Sequence, residues 1–230
     1  MKSTFTKFLS YSFIILLIAL TYLTFIGIET DKFNDKIQKE ISEKNNKLNV
    51  ELNKIKILLS PFDLKIKIKT LGTNIIFDQK KIELESINSK ISLINFINNQ
   101  FSIDNLKVST KLIKVKDLIS LLRKFNNTAE LFIFEKFTKA GYLIADMELN
   151  FDEKGFVNDD YHIQGNIKDG KFNFSKKYNF DNLDFNFVIK KDNFFFENIK
   201  LTLNNIYLLS NSINIIKSNN EFFVKGEISS

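Results

Sequence analysis

The chain carries no charged side chain between positions 8 and 28, a run of 21 residues dominated by Ile, Leu and Phe. A helix rises about 1.5 Å per residue, so this run matches the roughly 30 Å hydrocarbon core of a bilayer. It exceeds the apolar core of about 7–15 residues in a secretory signal peptide, and no small-x-small cleavage pair follows it. The run predicts an uncleaved transmembrane anchor. A cleaved signal peptide and a buried core helix are the alternatives.

The charges beside the run predict its orientation. Lys2 and Lys7 lie on the short amino-terminal side without an acidic residue, whereas Glu29 and Asp31 open the other side. Because short basic flanks stay in the cytoplasm, residues from 29 onward are expected across the membrane. In a bacterial cell this arrangement predicts a single-pass inner-membrane protein with a cytoplasmic N-terminus and the bulk of its chain in the periplasm.

Composition excludes several kinds of site. The absence of cysteine rules out disulfides, thiol catalysis and thiolate metal ligands, and His162 is the only histidine. Seven scattered glycines form no phosphate loop. Arg123 is the only arginine among 33 basic residues, which disfavours nucleic acid as a partner because its readers rely on arginine. We predict no enzymatic activity, no cofactor, no metal site and a surface position for His162.

Hydrophobic spacing divides the chain into three parts. Residues 29–54 place apolar side chains three or four positions apart, as in Ile37 and Ile41, which predicts a helical stalk. After Pro61 the period changes to two, which is typical of β-strands. The predicted parts are a cytoplasmic tip and transmembrane anchor over 1–28, a helical stalk over 29–54, and a periplasmic antiparallel β domain over 55–230.

Alternating strands fill most of the third part. Turn signals such as residues 168–170 and 204–205 separate them at short intervals, which predicts an antiparallel meander. Helical spacing interrupts the strands at residues 116–125 and 129–138, with a single further turn at 94–97. A sheet with one long apolar face must close into a barrel, pack as a sandwich, or leave a groove for a ligand with acyl chains.

Several segments resemble the start of AsmA-like proteins of the AsmA and TamB type. After the anchor come Leu64-Lys65-Ile66-Lys67-Ile68, then residues 87–97, and then residues 101–108 with an Ile-x-Asn-Leu step. Residues 161–171 are similar to the family's repeating strand–Gly–strand units. The resemblance is one of pattern and spans most of residues 1–228.

The resemblance implies an inner-membrane anchor and an elongated, curved periplasmic sheet whose apolar inner face carries phospholipid toward the outer membrane. Family members are commonly longer, so the resemblance implies an amino-terminal piece, a fragment or a short member with another role. The predicted fold class is therefore mainly β with a few helices: a transmembrane helix, a stalk helix, and a curved antiparallel meander with short helical insertions.

The predicted function is to bind or conduct phospholipid along an apolar groove between the inner and outer membranes, with membrane lipids as partners. The alternative is a tethered structural or interaction module for envelope assembly, with a closed sheet, no lipid groove and other envelope proteins as partners. The candidate lipid-binding residues are inward-facing aliphatic side chains of the alternating strands: Ile66, Ile68, Ile82, Leu84, Leu143, Leu149, Ile163 and Ile167.

Overall fold

A computed structural model describes residues 2–32, 34–44, 48–77, 80–94, 103–125, 128–152, 158–174, 177–219 and 221–230. Within these ranges the protein is mainly β, with four helices and a long, curved antiparallel sheet that does not close on itself, which confirms the predicted fold class. The predicted turn at 94–97 lies mostly outside the described residues. The helices are α1 (Lys2–Phe25), α2 (Asn34–Lys44), α3 (Val115–Phe125) and α4 (Ala129–Phe137).

Fourteen strands form the sheet. In chain order they are β1 (Ile28–Thr30), β2 (Leu48–Glu51), β3 (Lys54–Ser60), β4 (Lys65–Leu71), β5 (Asn74–Phe77), β6 (Lys80–Ser92), β7 (Ile103–Thr110), β8 (Ile113–Lys114), β9 (Thr138–Asn150), β10 (His162–Phe174), β11 (Tyr178–Lys190), β12 (Asn193–Leu203), β13 (Ile206–Ser218) and β14 (Glu221–Gly226). Eleven of them follow one another in the order β1-β3-β4-β6-β7-β9-β10-β11-β12-β13-β14, while β2, β5 and β8 pair at its side. Among the described strands, β1 and β14 are the two ends of this path.

The long apolar helix α1 runs almost directly into the first end of the sheet. Gly27 separates α1 from β1 and has a φ of 74°, and a Cβ there would lie 2.5 Å from the carbonyl oxygen of Ile57. Only glycine fits this left-handed position against a neighbouring backbone. Because β1 runs antiparallel to β3, with Ile28 opposite Ile57, α1 lies toward the β3–β4 turn and contacts β3.

The predicted stalk over 29–54 is not a single helix. Among its described residues Asn34–Lys44 alone is helical, whereas β1 pairs with β3 and β2 pairs with β5. The strands that replace the predicted helix are three and four residues long, and their pairing partners lie farther along the chain. The sheet therefore begins at Ile28 rather than at the predicted domain boundary of 55.

A line of backbone irregularities bends the distal part of the sheet, the part farther from α1, at strands β10 to β12. Asp169, Asn182 and Asn198 have positive φ angles of 51–53° on three adjacent strands, at or beside breaks in register. Gly141 on β9 packs against Gly170, since a Cβ on Gly141 would lie 3.2 Å from the Gly170 Cα. Bulges bend and twist a strand. Residues 168–170, predicted as a turn, are thus a bulge inside one continuous strand, because their neighbours on both sides pair with β9 and β11.

The two predicted helical insertions are confirmed as α3 and α4. α3 buries Val115, Ile119 and Leu121 against the sheet, where one cluster centres on β6 and another on β9 and β11. An ion pair between Arg123 and Glu135 joins the two helices, and the Arg123 guanidinium lies 4.8 Å from the centre of the Phe132 ring. The helices therefore form one unit that covers the middle of the sheet.

Candidate functional site

One row of side chains crosses the whole sheet without a break. Directly opposed residues in neighbouring strands share a face, so successive register pairs trace the row. Nine of its eleven members are apolar, and at about 4.8 Å per strand it spans roughly 50 Å. The row is Thr30, Ile55, Thr70, Ile87, Val108, Met147, Ile163, Ile189, Phe194, Ile215 and Val224. The face that carries it is called the apolar face below, and the opposite one the polar face.

All eight predicted residues lie on the apolar face. Ile163 belongs to the row itself, and Ile68 and Leu149 are joined to each other through the neighbouring row of Ser89 and Leu106. The other five follow by register or by shared packing: Ile66 opposite Ile91, Leu143 opposite Ile167, and Ile82 and Leu84 in the cluster with Ile87. Alternation accounts for six of them, whereas Ile82 and Leu84 join the same face through a register break between Leu84 and Ser86.

Burial separates these eight residues into two groups. Ile82, Leu84 and Leu143 are 5%, 2% and 8% exposed because α3 covers them, so they form core rather than surface. The remaining five, led by Ile66 and Ile163, are half-buried. The accessible part of the apolar face therefore lies on either side of α3 and α4.

The distal part of the apolar face is aromatic, and the predicted residues did not include it. Phe185 packs its ring 5.6 Å from Phe196 at an interplanar angle of 72°, and Phe187 lies opposite Phe196. Toward β14 exposure rises, to 61% for Phe222 and 67% for Val224. The same period of two that marked Ile163 and Ile167 extends through these strands and could have identified their inward residues.

The polar face carries the charges. His162 lies there between Glu148 and Lys190, as predicted, and its ring contacts the side-chain oxygen of Gln164 at 3.2 Å. The Lys107 ammonium, 2.7 Å from Glu148, donates to that carboxylate and holds its pKa below the usual range, with a further hydrogen bond from Asn105. These contacts tie adjacent strands together.

Exposed turns add one further ion pair. Asp159 lies in the turn before β10, and its carboxylate is 2.8 Å from the Lys191 ammonium, which raises the lysine pKa. Among the described residues, no group of three or more His, Asp or Glu side chains is arranged to hold a metal ion. The described part of the polar face therefore consists mainly of charge–charge and hydrogen-bonding contacts.

The helix α1 has the features that crossing a membrane requires. Its segment Thr6–Phe25 has a mean hydropathy of 2.1, and none of this segment is buried against the rest of the chain. The hydroxyls of Thr21 and Thr24 donate to the carbonyl oxygens of Leu17 and Leu20 at 2.8 and 2.7 Å. Within the described residues it is the one helix long and apolar enough to span a bilayer.

Comparisons with known proteins returned no match to a family model, to a curated protein or to a solved structure. The resemblance to AsmA-like proteins stays a prediction. Function is therefore inferred from the two faces of the sheet and from the helix that leads into it.

Proposed function

We propose that this protein is anchored in a membrane by α1 and binds phospholipid acyl chains on the apolar face of its sheet, conducting them between the inner and outer membranes of an envelope. The observation that carries the proposal is the unbroken row from Thr30, next to the anchor, to Val224 at the open end. Covering exposed apolar surface with acyl chains gains roughly 25 cal/mol per Å². An open sheet with such a face needs a covering partner, and lipid is the one nearest to the anchor.

The anchor is proposed to be retained rather than cleaved. The last residues of the apolar run are part of the fold, because Gly27 packs against Ile57 and Leu58 and Ile28 pairs with β3. Cleavage just after the run would cut β1 and leave β3 as the end strand of the sheet. The proposed location is the inner membrane, with residues from 29 onward in the periplasm, in keeping with the basic N-terminal flank.

Three consecutive phenylalanines provide a matched test of lipid binding. Phe194 and Phe196 lie on the apolar face, whereas Phe195 lies on the polar face, opposite Val188 and Asn214. Each is replaced in turn by the photo-crosslinking residue p-benzoylphenylalanine in the full chain, within cell membranes. We expect phospholipid adducts, detected by mass spectrometry, from positions 194 and 196 and not from 195. Equal adduct yields at the three positions, or none at any, would contradict the proposal.

The open edge of β14 favours a second candidate function, a tethered interaction module. Phe222, Phe223 and Val224 are each more than half exposed, and β14 pairs with β13 as its only neighbour among the described strands. An exposed edge of this kind accepts a strand from a partner. A partner protein crosslinked specifically through β14, together with no lipid adduct at Phe194, would favour this function over lipid binding.

A further inference from the structure

The polar face next to the anchor is crowded with lysine. Strands β3 and β4 together carry five lysines and no acidic residue. Lys56 lies directly opposite Lys69, and Lys67 lies directly opposite Lys90 of β6. Like charges facing each other across a sheet are destabilising, so this arrangement has a cost in the isolated protein. We call Lys56, Lys67, Lys69 and Lys90 the lysine patch.

The lysine patch is only partly neutralised: after Lys107, Lys90 also helps to lower the pKa of Glu148 without forming an ion pair with it. Nearby lysines have carboxylate partners: Lys65 lies 3.0 Å from Asp104, and Lys107 lies 2.7 Å from Glu148. None of the ion pairs formed between described residues includes a patch lysine. Glu29 faces Lys56, but its closest lysine ammonium is that of Lys54 at 4.0 Å. All four patch residues are half-buried, which increases the gain from an added anion.

The patch lies where the anchor helix leaves the sheet. Lys56 is in the strand next to β1, and Lys69 and Lys67 are one strand farther, so at about 4.8 Å per strand they lie roughly 5–10 Å from β1. Lys67 also faces Leu58, the residue against which Gly27 packs. These distances are comparable to the Debye length of about 8 Å at physiological salt. Headgroups around α1 are therefore within electrostatic reach.

An exposed apolar turn lies on the same side. The β3–β4 turn presents Phe62, which is 99% exposed, and Leu64, which is 53% exposed, in the direction taken by α1. Asp63 lies between them and accepts a hydrogen bond from the Ser60 hydroxyl, and the lysines of β3 and β4 outnumber this one carboxylate. Exposed aromatic and aliphatic tips next to a lysine-rich strand pair are typical of surfaces that enter the headgroup region of a bilayer. This observation is independent of the lysine spacing and indicates the same ligand.

We propose that the lysine patch and the β3–β4 turn form a docking surface for anionic phospholipid headgroups of the leaflet from which α1 emerges. The inference rests on the proposed membrane anchor. The lysines bind headgroup phosphates, and Phe62 inserts beside them. This contact fixes the tilt of the sheet over the bilayer and keeps β1 at the membrane surface. Each lysine near an anionic bilayer strengthens such binding about fivefold.

Tryptophan fluorescence tests the proposal because the natural chain contains no tryptophan. The full chain carrying Phe62→Trp is reconstituted in vesicles of phosphatidylcholine alone or with about one-third phosphatidylglycerol. We expect brominated lipid to quench the tryptophan emission more strongly with phosphatidylglycerol. The difference should vanish near 1 M salt, where the Debye length falls to about 3 Å. A Tyr207→Trp chain reports on an exposed position of the distal strand β13 and should show no dependence on lipid charge.

Charge variants of the Phe62→Trp chain identify the residues responsible. Combining Lys67→Gln, Lys69→Gln and Lys90→Gln should abolish the phosphatidylglycerol dependence of quenching at position 62. The matched set Lys168→Gln, Lys190→Gln and Lys200→Gln, which removes the same charge from the distal sheet, should leave it intact. Quenching at position 62 that ignores lipid charge, or that both sets reduce equally, would overturn the proposal.

Alkaline carbonate extraction separates this inference from the proposed function. A chain that stays in the vesicles but shows no dependence on lipid charge refutes the docking surface alone and leaves the acyl-chain proposal to the Phe194 and Phe195 comparison. A chain released by carbonate refutes the anchor and the docking surface together.

Discussion

The two ends of the sheet share one pattern of alternation but differ in composition. The anchor-proximal end, β1 to β7, builds its apolar face from aliphatic residues such as Ile55, which is 1% exposed. The distal end, β10 to β14, adds phenylalanines to its aliphatic residues and exposes the apolar face most at β14, where Val224 is 67% exposed. The proximal apolar face is therefore the more buried of the two, with Ile66 and Ile68 half-buried, whereas the distal one opens toward its last strand.

The polar face also differs between the two ends of the sheet, in how its lysines are paired. Distal lysines have acidic partners: Lys171 lies 2.7 Å from Asp181, and Asp184 lies opposite Lys200 and 3.4 Å from the Lys168 ammonium. At the proximal end, lysine faces lysine. Favourable cross-strand charge pairs thus stabilise the distal end. At the proximal end Lys65 and Lys107 also have carboxylate partners, but two lysine pairs of the patch stay opposed beside α1.

The largest difference in stability between the two ends is expected when one apolar residue is truncated at each end. Leu84→Ala removes a side chain that is 2% exposed beneath α3, and we expect the free energy of unfolding to fall by about 2–5 kcal/mol. Val224→Ala, at 67% exposure, should change it by less than about 0.5 kcal/mol. Denaturant unfolding followed by circular dichroism measures both. Comparable losses would show that the distal face is also packed core.

A glycine substitution should reveal how tightly the junction between the two ends is packed. A Cβ on Gly165 would lie 2.3 Å from the carbonyl oxygen of Ile144 and 2.8 Å from the ring of Phe187. Gly165→Ala therefore forces a backbone shift and should destabilise the protein by about 1–3 kcal/mol. Asn166→Ala, one residue later and on the other face, should have a much smaller effect on the same unfolding midpoint. Equal effects would show that the Phe187 ring accommodates a methyl group.

Much of the apolar face was predictable from sequence because side-chain direction in a strand depends only on position parity. Six of the eight chosen residues, from Ile66 to Ile167, lie on one face for this reason, whereas Ile82 and Leu84 share it with Ile87 because of a register break at Ser86. The bulge at Asp169 was not predictable, since Lys-Asp-Gly is also a common turn and only pairing with β9 and β11 decides between the two. The short strands β1 and β2 were also missed, because three or four residues are too few to show a period.

The features of the candidate site that the sequence did not predict depend on contacts between residues that are distant in sequence. The helical spacing of residues 116–125 indicated an apolar stripe on α3 but not that it would bury Ile82 and Leu84. The lysines at 65, 67 and 69 were visible as one polar face, yet their opposition to Lys56 and Lys90 depends on strand register. Register follows from the whole sheet rather than from any single strand.

Charge reversal should distinguish the two ends of the polar face by the sign of its effect on the stability of the fold. Lys67→Glu places a carboxylate opposite Lys90 and should stabilise the fold by about 0.2–1 kcal/mol. Lys200→Glu places a carboxylate opposite Asp184 and should destabilise the fold by a similar amount. Unfolding midpoints in low salt measure both changes, and added salt should shrink them. Shifts of the unfolding midpoint with the same sign in both variants would mean that the two ends of the polar face do not differ in charge pairing.

The smallest effect is expected at Glu148, where the two ends of the sheet meet. The Lys107 ammonium, and then Asn105, donate to this carboxylate and lower its pKa in the folded state. A group with a lowered pKa stabilises the fold above its unfolded value, near 4.5, and this contribution is lost as pH falls through the folded value. Because the side chain is 36% exposed, the contribution is at most about 1 kcal/mol.

Glu148→Gln should therefore lower the unfolding midpoint slightly at neutral pH and flatten its decline below about pH 4.5. Asp146→Asn, two residues earlier on the same face, is the control for removing one negative charge. The Lys107→Met variant should reproduce the flattening, since the ammonium is the main cause of the lowered pKa. If Asp146→Asn flattened the acid limb as much as Glu148→Gln, the pairing of Glu148 with Lys107 would not be its origin. The junction would then be stabilised by general charge balance between the lysine-rich end and the mixed end.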